Sequence, residues 1–234
     1  MSDVRENILR IRERVAAAAA RAGRDPAGVR LMGVTKTVGD DRILQAIEAG
    51  IDIIGENYVQ EARRKIELMG KNAEWHFIGH LQTNKAKYAV RLFDMIHSVN
   101  RMSLAEELNR RAAAAGVVCR VLIEVNLGGE ESKSGAPPEK APALIRAVAQ
   151  MANLSIRGLM TMAPWYDDPE KARPCFAGLR SIRDRIAAEN IPNVTMRELS
   201  MGMTDDFEVA IEEGATLVRV GRAIFGQRQA GVMV

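Results

Sequence analysis

VRLMGVTKT, Val29 to Thr37, is an apolar run that ends on a lysine. It reads as a strand buried on both faces, the mark of a parallel sheet. Seven further runs repeat the grammar: DIIGEN from Asp52, EWHFIGH from Glu74, DMIHSVN from Asp94, CRVLIEVN from Cys119, IRGLMTM from Ile156, VTMRELS from Val194 and TLVRVG from Thr216. Helical patterns lie between them. DRILQAIEAG carries Ile43, Leu44 and Ile47 and stops at Gly50, LAEELNRRAAAAG stops at Gly116, and DDFEVAIEEG ends on Gly214, glycine being favoured just past a helix. A helix over Val4 to Ala22, with Ile8, Leu9, Ile11 and Val15 on one face, precedes the first run. Eight strand and helix units in ~200 residues predict the α/β class and a (β/α)8 TIM-type barrel with an extra N-terminal helix. The alternative, a doubly wound sheet, is disfavoured because no run is followed by the GxGxxG dinucleotide fingerprint.

No linker or compositional break divides the chain, so one domain over residues 1–234 is expected. Apolar residues make up 47% and charged residues 27%, the balance of an ordinary globular protein. No window approaches the ~18 apolar residues of a membrane span, and MSDVRENILRIRERV lacks the apolar core of a signal peptide. A cytoplasmic protein is expected. The net charge of +3 comes from basic residues interspersed with acidic ones, without the Lys/Arg runs and interleaved aromatics of a nucleic-acid surface. Cys119 and Cys175 match no ligand spacing and read as reduced thiols.

Chemistry in such barrels sits where the strands exit. The first run exits on Lys36, the second on Glu56 and Asn57, the third on His80, the fourth on Ser98 and Asn100, and the fifth on Asn126. The sixth exits on Thr161 and Met162, the seventh on Ser200 with Gly202 and Thr204 beyond, and the eighth on Arg219 and Gly221. A lysine on a mostly uncharged ring is a candidate Schiff-base former, because desolvation populates its free amine; the plainer reading is a lysine that snorkels to solvent. The loops after strands 7 and 8 are where barrels commonly bind phosphate. Gly221 permits close backbone approach, and Ser200 and Thr204 offer hydroxyls; equally, Thr204 reads as the N-cap of the helix that follows. An aldehyde trap at the first strand and a phosphate cradle at the last two describe a site for pyridoxal 5′-phosphate. Arg219, on the same strand face as Gly221, then lies against the pyridine nitrogen, or else serves as a layer residue or ion pair inside the barrel.

GVTKT, GENYVQEA, WHFIGHLQTNK, VNLGGEESKSG, GLMTMAP and LSMGMTDDFEVAIEEGATLVRVGRAIFG, in order from Val29 to Gly226, resemble the pyridoxal phosphate homeostasis protein family, whose members share the barrel of the alanine racemase N-terminal domain. The resemblance implies that Lys36 holds pyridoxal 5′-phosphate as an aldimine. It further implies Ser200, Gly221 and Thr204 at the phosphate, Arg219 at the ring nitrogen, and Asn57 and Met201 near the cofactor. Thr204 stands where the family commonly has serine, with the hydroxyl kept. Such proteins handle intracellular cofactor supply without an established turnover, with apo-enzymes as possible recipients, as a monomer or weak homodimer.

Two enzymatic readings compete. A racemase of this fold needs a second base, drawn as a tyrosine from an added β domain; after Gly226 only QRQAGVMV remains, and Tyr58, Tyr88 and Tyr166 fall in predicted helices or a long loop, away from the mouth. A lysine-dependent aldolase needs a carboxylate near Lys36, and Glu56 offers itself as readily to a neighbouring cation. His76 and His80 lie four apart on a predicted strand, ~13 Å by strand rise, too far for one metal; His97 reads as an interior or rim residue. GGEESKSGAPPEK from Gly128 reads either as a loop over the mouth, with Lys133 as a second cation, or as a solvated loop.

Overall fold

The computed structural model describes residues 3–129 and 134–226. Eight parallel strands close into a barrel in sequence order: β1 (Arg30–Val34), β2 (Ile53–Glu56), β3 (Glu74–Phe77), β4 (Met95–Val99), β5 (Cys119–Glu124), β6 (Leu154–Met160), β7 (Val194–Ser200) and β8 (Leu217–Val220). The last closes on the first, Met32 standing opposite Arg219. Around them run α1 (Val4–Arg21), α2 (Asp40–Glu48), α3 (Val59–Met69), α4 (Ala86–Leu92), α5 (Met102–Ala115), α6 (Ala141–Val148), α7 (Arg173–Ala188), α8 (Phe207–Glu212) and α9 (Arg222–Phe225). Every strand expected from the sequence is present. β6 starts two residues early because Leu154 and Ser155 already pair with Cys119 and Arg120.

Alternation along each strand sorts side chains into two layers. Outward residues such as Ile54, Trp75, Phe77, Ile96, Leu199 and Val218 pack under the helices. Inward, Met32, Ile53, Ile78 and Leu217 form one apolar cluster, and Met95, Leu122 and Met160 another. His76, His97, Ser200 and Arg219 are also buried inside the barrel.

The extra helix fixes the last barrel unit. Asp3 caps α1, its carboxylate accepting from Arg5 N at 2.8 Å. Asn7 Nδ2 donates to the Ile224 carbonyl at 2.8 Å, holding α9. Arg14 forms an ion pair with Glu208 and lies 4.6 Å over the Phe207 ring, tying α8 to α1. No helix among the described residues is long and apolar enough to cross a membrane.

Candidate cofactor site

Parallel closure brings all eight strand exits to one end of the barrel, so Lys36, Asn57, Ser200, Met201, Thr204, Arg219 and Gly221 follow or end strands on that face. The exits of β7 and β8 are joined: Met201 N donates to the Leu217 carbonyl at 3.1 Å, and Arg219 N to the Gly202 carbonyl at 3.0 Å. Gly202 has φ +90°, and a Cβ there would stand 2.6 Å from Ala210 Cβ, so only glycine fits this bend. At Gly221 a Cβ would come within 3.3 Å of the Val34 carbonyl oxygen, at the very exit that leads to Lys36.

Lys36 is half-buried, and the backbone on either side of it is gripped by α3. The fully buried Lys65 donates from Nζ to the Thr35 carbonyl at 2.6 Å, to Glu56 at 2.7 Å and to Glu61 at 2.7 Å. Glu61 also accepts the Thr37 N–H at 2.7 Å. That bond secures Thr37 at φ +60°, a left-handed conformation that costs a non-glycine residue about 1–2 kcal/mol. Glu56 takes the Thr35 hydroxyl as well. Burial raises its pKa, against the opposing charge of Lys65. Glu56 therefore pairs with a neighbouring cation in the layer between β2 and α3, as one of the two sequence readings had it. The cation itself, Lys65, went unnoticed. The signal was there: Val59, Ala62, Lys65 and Met69 form the buried stripe of α3, so a lysine at that spacing demands buried partners.

Arg219 is 4% exposed and spans the interior from β8, donating to Ser200 Oγ at 2.8 Å and to the Thr161 carbonyl at 2.8 Å. Burial lowers its pKa to about 10, opposed by Asp206 and Glu124, so it is a cation at neutral pH. Ser200 Oγ also contacts His97 Nδ1 at 3.0 Å, His97 Nε2 contacts His76 Nδ1 at 3.0 Å, and His76 Nε2 contacts Glu74 at 3.2 Å. Burial first, then the charges of His76, Arg219 and Arg30, hold His97 well below the usual histidine range. His97 is thus an interior residue, and the Ser200 hydroxyl faces inward into this chain.

Other expected positions are distributed differently. The Met201 side chain belongs to the apolar layer beneath the helices, leaving its backbone at the exit. Thr204 is half-buried in the turn before α8 but does not cap it; Asp206 is the N-cap residue, and its carboxylate accepts the Met203 N–H at 2.6 Å. The Asp206 carboxylate closes the turn ahead of the helix and makes no capping bond to it. Asn57 lies just past β2, its Oδ1 buried without a partner. Tyr88 is on α4, but Tyr58 opens α3 directly after β2 and Tyr166 lies in the loop after β6. Tyr58 and Tyr166 thus follow strand ends, at a helix start and in a long loop. Lys133 lies outside the described residues; beyond it the chain returns to β5, where Ala136 N donates to the Glu124 carbonyl at 2.7 Å and Ser134 Oγ to the Glu124 carboxylate at 2.8 Å.

An amine on a braced loop, a buried guanidinium, a buried amide oxygen free to accept and two glycines at backbone crossings are groups that fit a phosphorylated aldehyde. Residues 7–229 match the family described as alanine racemase, N-terminal domain. The pyridoxal phosphate homeostasis protein of Aquifex aeolicus (strain VF5) is 46% identical over 225 residues, covering 96% of this chain and 98% of that protein. The structure of PipY from Synechococcus elongatus PCC7942, with PLP bound, has a TM-score of 0.80 at 36% identity, over 92% of this chain and 100% of that one. The alanine racemase of Clostridium difficile 630 shares the fold alone, with a TM-score of 0.76 at 12% identity, over 96% of this chain and 56% of the racemase. The curated relatives carry a homeostasis name, not that of an enzyme.

Proposed function

Because this chain belongs to the pyridoxal phosphate homeostasis proteins, within the alanine racemase N-terminal domain family, we infer that it binds pyridoxal 5′-phosphate and serves its intracellular supply and delivery, without a dedicated turnover. The observation that carries this reading is the bracing of Lys36: a fully buried Lys65 and its partner Glu61 bond to the residues before and after it. So costly a support fixes the backbone from which Lys36 projects at the first strand exit. The bound cofactor supplies an aldehyde and an electron-withdrawing ring.

In this reading Lys36 is the amine for the aldehyde. Ser200, Thr204 and the backbone at Gly221 take the phosphate, and Asn57 and Met201 border the ring. Arg219 faces the ring nitrogen. Being protonated at neutral pH, it donates a hydrogen bond there and leaves that nitrogen without its own proton, which weakens the ring as an electron sink. That suits holding the cofactor better than turning over an amino acid. Apo-enzymes that need pyridoxal phosphate are the recipients, and the protein works in the cytoplasm as a monomer or weak homodimer.

The purified protein should show a visible absorbance band that borohydride abolishes, with the pyridoxyl mass on the peptide containing Lys36. A Lys36→Ala protein that keeps a reducible chromophore of undiminished stoichiometry would refute the assignment. Mixing the loaded protein with an apo-enzyme and following the recipient's activity tests delivery.

A further inference from the structure

The interior chain from Ser200 through His97 and His76 to Glu74 crosses the barrel from the strand exits to the opposite end, where Glu74 opens β3. Both termini have fixed roles. Arg219 can only donate, and it donates to Ser200 Oγ. Glu74 is held at about 2, chiefly by the bond from His76, with the Arg30 charge assisting against burial; at neutral pH it can only accept. His76 Nε2 must therefore carry a proton. With His76 neutral, its Nδ1 accepts from His97 Nε2–H, His97 Nδ1 is bare, and Ser200 has to donate its hydroxyl proton inward. In this state the serine has no proton to offer the mouth.

One added proton reverses the two bonds from Ser200 to His97 and from His97 to His76, while His76 Nε2 goes on donating to Glu74. If it arrives at Ser200 Oγ from the mouth, the original hydroxyl proton passes to His97 Nδ1 and the His97 Nε2 proton passes to His76 Nδ1. Ser200 then accepts from both Arg219 and His97, and its new O–H points outward. His97 stays neutral as the other tautomer, and the charge ends on His76 beside the Glu74 carboxylate. Buried polar hydrogens need acceptors, so the reversed state is favoured only when something in the mouth accepts from Ser200.

We propose that the Ser200–His97–His76 chain takes up one proton when an anionic oxygen docks against Ser200, and that this uptake turns the serine hydroxyl into a donor for that oxygen. The oxygen is the cofactor's phosphate, so the inference rests on the reading of Ser200 given above. His97 and His76 are positioning residues that act through Ser200. The charged groups around them agree on where the proton resides. His97 faces His76 from β3, Arg219 from β8 and Arg30 from β1, all opposing a charge on it. His76 has Glu74 on its own strand. Glu124 from β5 and Asp206, beyond β7, act on Arg219, and Glu198 of β7 is engaged by Thr216.

His76→Asn supplies the test, because an amide near the place of Nδ1 can accept from His97 Nε2 or, turned over, donate to it, with no proton exchanged. Calorimetric titration with pyridoxal 5′-phosphate in buffers of different ionisation enthalpy counts protons, and contributions from Lys36 and the phosphate itself cancel between the two proteins. The unsubstituted protein should take up about one proton more per ligand, and its affinity should fall up to about tenfold more steeply per pH unit. Equal proton counts overturn the proposal. Nitrogen NMR of the three histidines decides it independently of the variant's folding. On adding pyridoxal 5′-phosphate, or inorganic phosphate as a probe, His97 should exchange Nε2–H for Nδ1–H; a His97 that keeps Nε2–H throughout overturns the proposal. If pyridoxal 5′-phosphate gives neither heat nor a visible band, the cofactor reading fails by itself, and the spectra with inorganic phosphate still decide the chain.

Discussion

Replacing Lys65 with methionine keeps the apolar stem on the buried stripe of α3 and removes one ammonium that makes three bonds. Glu56 and Lys65 both have side chains 0% exposed, so the carboxylate cannot turn to water. Breaking a fully buried pair from one side costs about 3–5 kcal/mol, and an orphaned buried carbonyl such as that of Thr35 about 1–3 kcal/mol. These overlap, since one group is lost, and we expect a total of about 4 kcal/mol, against the ~5–15 kcal/mol typical of a whole domain. The deficit should depend on pH. Burial already raises the Glu56 pKa and Lys65 is the main group opposing that rise; without it the folded-state pKa climbs further. A carboxyl with a raised folded pKa contributes its stability below the unfolded value and loses it as pH rises through the folded one. The penalty in Lys65→Met should therefore be large at pH 8 and shrink towards pH 5. Urea unfolding followed by circular dichroism at both pH values measures it, and adding Glu56→Leu should restore most of the loss at pH 8. A single-variant deficit below about 1 kcal/mol at pH 8, or a double variant no more stable than the single, would refute this account of how the Lys36 loop is held.

Glu74 is depressed from 4.5 to about 2, so its contribution is present above 4.5 and lost as pH falls through that interval. Glu74→Gln should flatten the decline of the thermal midpoint between those values, modestly because the side chain is 45% exposed; an unchanged acid limb would count against the Glu74 and His76 bond. Burial pushes the Cys119 thiol up to about 12, and Cys119 and Cys175 are both free and buried. At pH 8 Cys119 should resist an aromatic disulfide reagent until the chain unfolds, and rapid labelling of native Cys119 would contradict its place beneath the helices.

The strands and their exits were legible because the signals are local. A short apolar run, a turn residue and a helical period recur eight times within windows the chain cannot fold around, and the short unit length makes parallel closure the economical solution. Counting to the end of each run then reaches Lys36, Ser200 and Arg219 without knowledge of any contact. Lys65 was less accessible for a specific reason. On α3 it sits in a stretch with Glu61, Arg63, Arg64 and Glu67, which looks like a solvated face until the helical phase puts it on the stripe of Val59 and Met69. Asp206 and Thr204 differ by two residues, a distinction the sequence of a turn cannot make because it depends on which backbone N–H the turn exposes.

The hydrogen-bond polarity of the interior was not legible at all, and no finer reading of residue types would have supplied it. Ser200, His97 and His76 come from β7, β4 and β3, and they meet only because closure turns alternate residues of distant strands onto one axis. Even with that placement known, a serine beside a histidine has two roles of nearly equal worth, donor or acceptor. What decides between them is not local. Glu74 fixes the proton on His76, His76 fixes the tautomer of His97, and His97 fixes the direction of the serine hydroxyl, while Arg219 donates to Ser200 in either sense. The residue types at the strand exits thus identify the candidate ligands of an anion. Whether Ser200 can donate to it is set at the far end of the barrel, by a carboxylate that never approaches the mouth.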